Sequence, residues 1–200
     1  MLSFGKLYLK SDLMLTIEEF AQNFGGKPVP GSLAKLVDFQ NETEFGSYCK
    51  GFGLVYDDKS GLEHGWSMNP DFLEKLMPFA RATAGGSFYA LWQYEDGIAP
   101  DEFPVVLFGD EGGEFVVAEN IQAFLRLLTL DTEPMTYRHA SYYRDEDDES
   151  TEYSGEFRNW LKKNFNLDAI DDENIVLAPA IEKYQRRFDD WIGRYLGKNK

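Results

Sequence analysis

Few side chains in this sequence can act as a nucleophile or as a base of the histidine type: one thiol, Cys49, and two imidazoles, His64 and His139. A Cys–His pair is arithmetically possible, because a thiolate beside a base is the usual activated sulfur nucleophile. Cys49, however, sits in the apolar run SYCKGFGLV, where a buried and unreactive thiol is the common case. Two histidines 75 positions apart, with no second cysteine, give no zinc-type ligand spacing. The acidic runs DEDDE at 145–149 and DAIDDEN at 168–174 lack the alternating ligands and the central glycine of an EF-hand loop. Lys50-Gly51-Phe52-Gly53 has neither the Walker spacing nor the third glycine of a dinucleotide turn. Gly112-Gly113 reads as a hairpin turn that needs positive φ. A glycosidase-type carboxylate pair is open in principle, but nothing selects two acids out of 35. Trp66 in HGW offers a ring for carbohydrate stacking, against the commoner reading of a core tryptophan. The expectation is a protein without catalytic residue, metal or cofactor.

Charge carries the stronger signal. Lys and Arg number 20 against 35 Asp and Glu, a formal net charge of −15. A chain so acidic is not expected to bind nucleic acid or an anionic membrane surface unless the fold gathers a basic patch. The acids are concentrated: residues 1–152 hold 11 basic and 27 acidic side chains, and 153–200 hold 9 and 8. Between Arg81 and Arg126 there is no Lys or Arg, while Asp101, Glu102, Asp110 and Glu111 fall among the acids there. DEDDESTE at 145–152 adds Asp145, Glu146, Asp147, Asp148 and Glu149, with Tyr142 and Tyr143 just before it and Tyr137 and Tyr153 further out. A solvated face is the ordinary reading of one such run. Two of them beside aromatic residues fit an interface with a basic partner, so these eleven acids and tyrosines, from Asp101 to Glu149, form the candidate partner-binding set.

These residues need a scaffold, and apolar residues at 43% of the chain, with 16 Phe, 11 Tyr and 4 Trp, are ample for a core. No run approaches the roughly 18 apolar residues of a membrane span, and MLSFGKLYLKSDLML has no long apolar region with a cleavage site. The lone cysteine agrees with a reducing compartment, so a cytoplasmic location is expected. Thr16 and Glu19 form a capping box before a short helix, and PVPGSLAKLVDFQ predicts a second. SYCKGFGLVYDD reads as β-rich. Asn69-Pro70 starts a third helix, which Pro78 is expected to stop. SFYALWQY, FPVVLFG and EFVVA are strands of a meander, and VVAENIQAFLRLLTL runs from strand into helix, with Asn120 as cap and Ile121, Phe124, Leu125 and Leu128 as one stripe. After a polar loop to about residue 153, FRNWLKKNF and APAIEKYQRRFDDWIGRYL predict two further helices with aromatic core stripes. The order of elements is that of a single α+β domain: an antiparallel sheet with helices packed mainly on one face, plus extra C-terminal helices over 154–197.

FARATAGGSFYALW followed by FPVVLFGDEGGEFVVAENIQAFLRLL is similar to the second half of the SUKH superfamily: a glycine turn, a strand, a Pro-Val strand, an acidic glycine turn and an acid-capped entry into a helix. PVPGSLAKLVDF resembles its early helical segment, and the likeness spans residues 17–130. Gly86-Ser87 stands where the superfamily usually has Gly-Asp. The resemblance implies a non-enzymatic binding protein of one domain. Many members are similar to immunity proteins that neutralise bacterial toxins, often nucleases, and others resemble fungal regulators of glucan synthesis. The expected partner is therefore a basic, nuclease-type protein toxin, with a regulatory or scaffold module of the same fold as the alternative.

Overall fold

A computed structural model describes residues 14–145 and 147–196. Its centre is a five-stranded antiparallel meander in the order β1 to β5: β1 Gly53–Leu54, β2 Leu76–Arg81, β3 Phe88–Trp92, β4 Val105–Phe108 and β5 Glu114–Ala118. The strands alternate between two apolar cores. Tyr89, Leu91, Val105 and Leu107 point to one face, and Ala90, Trp92, Val106 and Phe108 to the other. Strands buried on both sides are apolar at every position, as FYALW and VVLF are.

The first face is covered by α1 (Ile17–Ala21), α2 (Gly31–Glu42), α5 (Ile121–Leu127) and α6 (Ser154–Phe165), whose Phe20, Leu36, Phe124 and Phe157 enter its core. The capping box predicted at Thr16 and Glu19 is present, and Asn120 caps α5 by accepting from Ala123 N. The second face is covered by α3 (Ser60–Gly65), α4 (Pro70–Glu74) and the C-terminal helices α7 (Asn174–Ala180) and α8 (Arg186–Ile192). α7 passes along β5 and contributes Val176 and Leu177 to the first core, and α8 places Phe188 and Ile192 in the second. Of the extra C-terminal helices, α6 joins the first layer, α7 spans the β5 edge and α8 completes a second layer, beyond the expected one-sided packing. A π segment, Ile181–Gln185, joins them two residues after Pro179, whose missing N–H breaks the α ladder.

Two expectations need correction. Pro78 does not stop a helix: α4 ends at Glu74, and Leu76–Arg81 is a strand whose register shifts between Pro78 and Ala80. Proline cannot donate to a ladder, so it is accommodated at such an irregularity, and burial of Leu76, Met77 and Phe79 in the two cores decides for strand. Of SYCKGFGLVYDD only Gly53–Leu54 pairs as strand.

Both outer edges of the sheet are closed by side-chain amides. Gln40 of α2 accepts from Leu54 N (2.8 Å) and donates to Leu54 O (3.1 Å). Asn23 extends this along the same edge, accepting from Asp57 N and donating to Val55 O, both at 2.8 Å. Gln185 does the same at β5, accepting from Val116 N (2.7 Å) and donating to Glu114 O (3.3 Å). An amide carries a donor and an acceptor with the polarity of a peptide group, so it blunts an edge that would otherwise pair with another strand.

Candidate protein-interaction surface

The predicted acids are divided between opposite ends of the sheet. Asp110 and Glu111 lie in the β4–β5 turn, beside the N-terminal end of β3. Asp101 and Glu102 lie in a 3-10 turn, Pro100–Glu102, before β4 at the other end. Asp101 has structural work there: its carboxylate accepts from Gly31 N (3.0 Å) and Ser32 N (3.3 Å), supplying the cap that Pro30 cannot give to α2. Glu102 is exposed beside it.

At the first end the turns form a groove of about 650 Å³. Asp57, Asp110, Glu111 and Glu114 line it, and among the described residues Arg81 is its only lining cation. Trp66 forms a wall, edge-on to Phe88 and Phe108 at 5.7 and 5.0 Å, with its Nε1 donating to Glu114 Oε1 (2.6 Å). The HGW tryptophan is thus half-buried, with its polar edge tied to an acid at the groove. Asp110 also staples two turns: Ser87 Oγ donates to Asp110 Oδ1 (2.5 Å), and Asp110 N donates back to Ser87 Oγ (3.2 Å). The turn itself needs Gly112 and Gly113 at φ +97° and +95°, as expected from their sequence. Burial, opposed by the Lys59 backbone amide, raises the Asp57 carboxyl above the usual range.

Thr136, in the segment that follows α5, lies against the same end. Gly109 leaves no room for a Cβ because Gly112 O and the Thr136 side chain approach it. The predicted loop is organised by Asp131, which is fully buried and adopts φ +55°. Its carboxylate accepts from Lys50 N (3.3 Å), Arg144 Nη1 (3.3 Å), Thr151 N (2.8 Å) and Thr151 Oγ1 (2.9 Å). Arg144 also donates to Asp148 O and Ser150 Oγ, and Lys50 pairs with Asp148 at 3.1 Å. The loop therefore holds Asp145, Asp147, Asp148 and Glu149 outward around a fixed polar knot. Glu146 lies outside the described residues. Tyr143 and Tyr137 are exposed at 65% and 88%, and Tyr143 donates to Asp145 Oδ1 (2.9 Å), which raises its phenol.

Tyr142 corrects the candidate set. It is buried in the first core, its hydroxyl 3.0 Å from that of Tyr89 and its N–H donating to Glu173, so it anchors the loop and is not a surface contact. Neighbouring residues in an extended segment face opposite ways, so only one of the Tyr142–Tyr143 pair reaches solvent.

Cys49 is buried, and its sulfur contacts the carbonyls of Lys50 and Thr132. Desolvation and the nearby Asp131 push its thiol far up, the reverse of an activated nucleophile. His64 is exposed, its Nδ1 2.7 Å from Ser60 O, and His139 is exposed as well. Among the described residues no group of three or more His, Cys, Asp or Glu side chains is placed to hold a metal, and no helix is long and apolar enough to cross a membrane. Asp57, Glu114 and Asp131 were not legible as site residues, because tertiary contacts alone bring them together, and Trp66 was legible only as a possible stacking ring. No family model matches the chain, and neither does any curated protein or solved structure.

Proposed function

We propose that the chain is a non-enzymatic immunity protein of the cytoplasm that neutralises a basic, nuclease-type toxin by seating its acidic end in the toxin's phosphate-binding cleft. The observation that carries this reading is the grouping of Asp57, Asp110, Glu111 and Glu114 around one groove with a single lining cation among the described residues; the exposed acids Asp145, Asp147, Asp148 and Glu149 add to the negative surface. A nuclease cleft attracts phosphate with positive potential, so an acidic surface steers association to it. Exposed charges are screened beyond about 8–10 Å at physiological salt, so the complex also needs buried anchors, for which Tyr137 and Tyr143 are available. The resemblance of residues 17–130 to the SUKH superfamily supports the same reading.

The test is retention of partners from the native lysate at two salt concentrations, followed by a nuclease-inhibition assay with the retained protein. The triple variant Glu111→Lys/Asp147→Lys/Glu149→Lys should weaken inhibition at low salt by about tenfold or more, chiefly through slower association. Undiminished inhibition by this variant, or retention of acidic proteins alone, removes the charge-matching reading and leaves the regulatory module.

A further inference from the structure

A second group of charged residues, four cations and two acids, has a net positive sign. A cleft of about 500 Å³ opens between the C-terminal end of β3 and the helical stretch from the π segment into α8. Trp92, Tyr94 and Trp191 supply its aromatic wall, and Lys183, Arg186, Arg187 and Arg194 its cations. Lys183, Arg187 and Arg194 stand four and seven residues apart and Arg186 eight before Arg194, spacings that keep them on one side of the stretch, where Glu182 and Asp190 also line the cleft. Two cations are committed to the fold. Arg187 donates to Tyr94 O (3.0 Å), lies 4.7 Å from that ring and reaches Glu95 at 3.5 Å, while Lys183 pairs with Glu119 at 3.1 Å.

Arg186 and Arg194 are different. Their guanidinium groups are exposed and have no hydrogen bond or ion pair among the described residues, although Glu182 and Asp190 stand one turn before them on the same stretch. Trp92 gives an independent sign. Its ring lines the cleft and is 1% exposed, yet its Nε1 is a buried donor without an acceptor among the described residues. Buried donors are nearly always paired, so an unpaired one is where a bound acceptor is to be sought. Guanidinium forks match the oxygens of a phosphate group, and a cleft of this volume suits a small molecule.

We propose that this cleft binds a small organic phosphate. The anionic group lies between Arg186 and Arg194, its apolar or aromatic body lies against Trp191 and Tyr94, and an oxygen reaches the Trp92 indole N–H. The site lies at the other end of β3 from the acidic groove and is independent of the toxin-binding reading.

The test uses the ¹⁵N-labelled full chain and follows its indole N–H resonances during titration with phenyl phosphate and, separately, inorganic phosphate at fixed ionic strength. The expected result is a saturable shift of the Trp92 resonance with phenyl phosphate. Affinity should fall about tenfold or more in Arg186→Ala/Arg194→Ala, whose charges are exposed, and hold in Lys163→Ala, outside the cleft. No saturable shift, an equal shift in the double variant, or equal movement of Trp66 and Trp160 would overturn the site. Equal affinity for inorganic phosphate would overturn the role given to the aromatic wall.

Discussion

The acidic end and the basic cleft sit at opposite ends of β3 and are built by different means. The acidic end consists of turns and a long loop held by a polar knot, with the Asp131 carboxylate at its centre. The cleft rests on stacked aromatics: Trp191 lies against Phe72 at 5.5 Å and Trp92 at 5.4 Å, and Phe188 against Trp92 at 5.0 Å. Directional bonds to one buried carboxylate fail together when it is lost, and they set the shape of a loop. Aromatic packing is bound up with the sheet and fails only with the fold. The first arrangement suits a surface whose contour matters, and the second a rigid pocket wall.

That contrast breaks most sharply at Phe188. Removing its ring leaves a hole between Trp92 and Phe108, so Phe188→Ala should cost about 3–5 kcal/mol of global stability by urea unfolding, with every probe moving together. Loss confined to the C-terminal helix would mean that α8 is an accessory and not the second layer.

Alkaline unfolding weighs the polar contents of the first core. Burial pushes the phenols of Tyr48, Tyr89 and Tyr142 well above their ordinary value of 10.0. Above that pH the unfolded chain gives up protons that the folded chain keeps, so the unfolded state binds fewer and stability falls as pH rises. With three groups the slope approaches about 4 kcal/mol per pH unit, and tyrosinate absorbance from them should appear only with unfolding. Tyr89→Phe/Tyr142→Phe should flatten it.

Asp131→Ala should cost about 2–4 kcal/mol, because it leaves Arg144 and the Thr151 amide without their acceptor. Amide exchange should rise first over 144–151 while the β3 amides stay protected. Uniform exchange would mean that the loop and the core form one cooperative unit. The smallest effect distinguishes the two sheet edges. Gln40→Ala and Gln185→Ala each uncover backbone groups, at about 1–3 kcal/mol. The Gln185 variant should associate more at high concentration, measured by light scattering, because β5 is the longer strand.

Much of this was legible locally. The capping box at Thr16, the Asn120 cap, the glycine turn at 112–113 and the three apolar strands follow from short-range chemistry and stand where their residues predict. The unbroken apolar runs FYALW and VVLF also held the sign of a sheet covered on both faces, since a one-sided sheet alternates. Pro78 misleads because a helix stop and an irregular strand use the same residue, and only the burial of its neighbours separates them.

The sequence by itself determined the acid excess, the meander and the amphipathic helices, because net charge, strand periodicity and capping need no more than neighbours along the chain. The tertiary structure alone decided which acids meet. It sent Asp101 to cap a helix 70 residues away, buried Tyr142 while exposing Tyr143, and gathered Asp57 and Glu114 beside Asp110. It also left Arg186 and Arg194 without a partner among the described residues, in the cleft that Trp92 lines. A carboxylate on the surface and one in a knot read alike in a sequence, because the difference lies in what folding brings within about 3 Å of each oxygen.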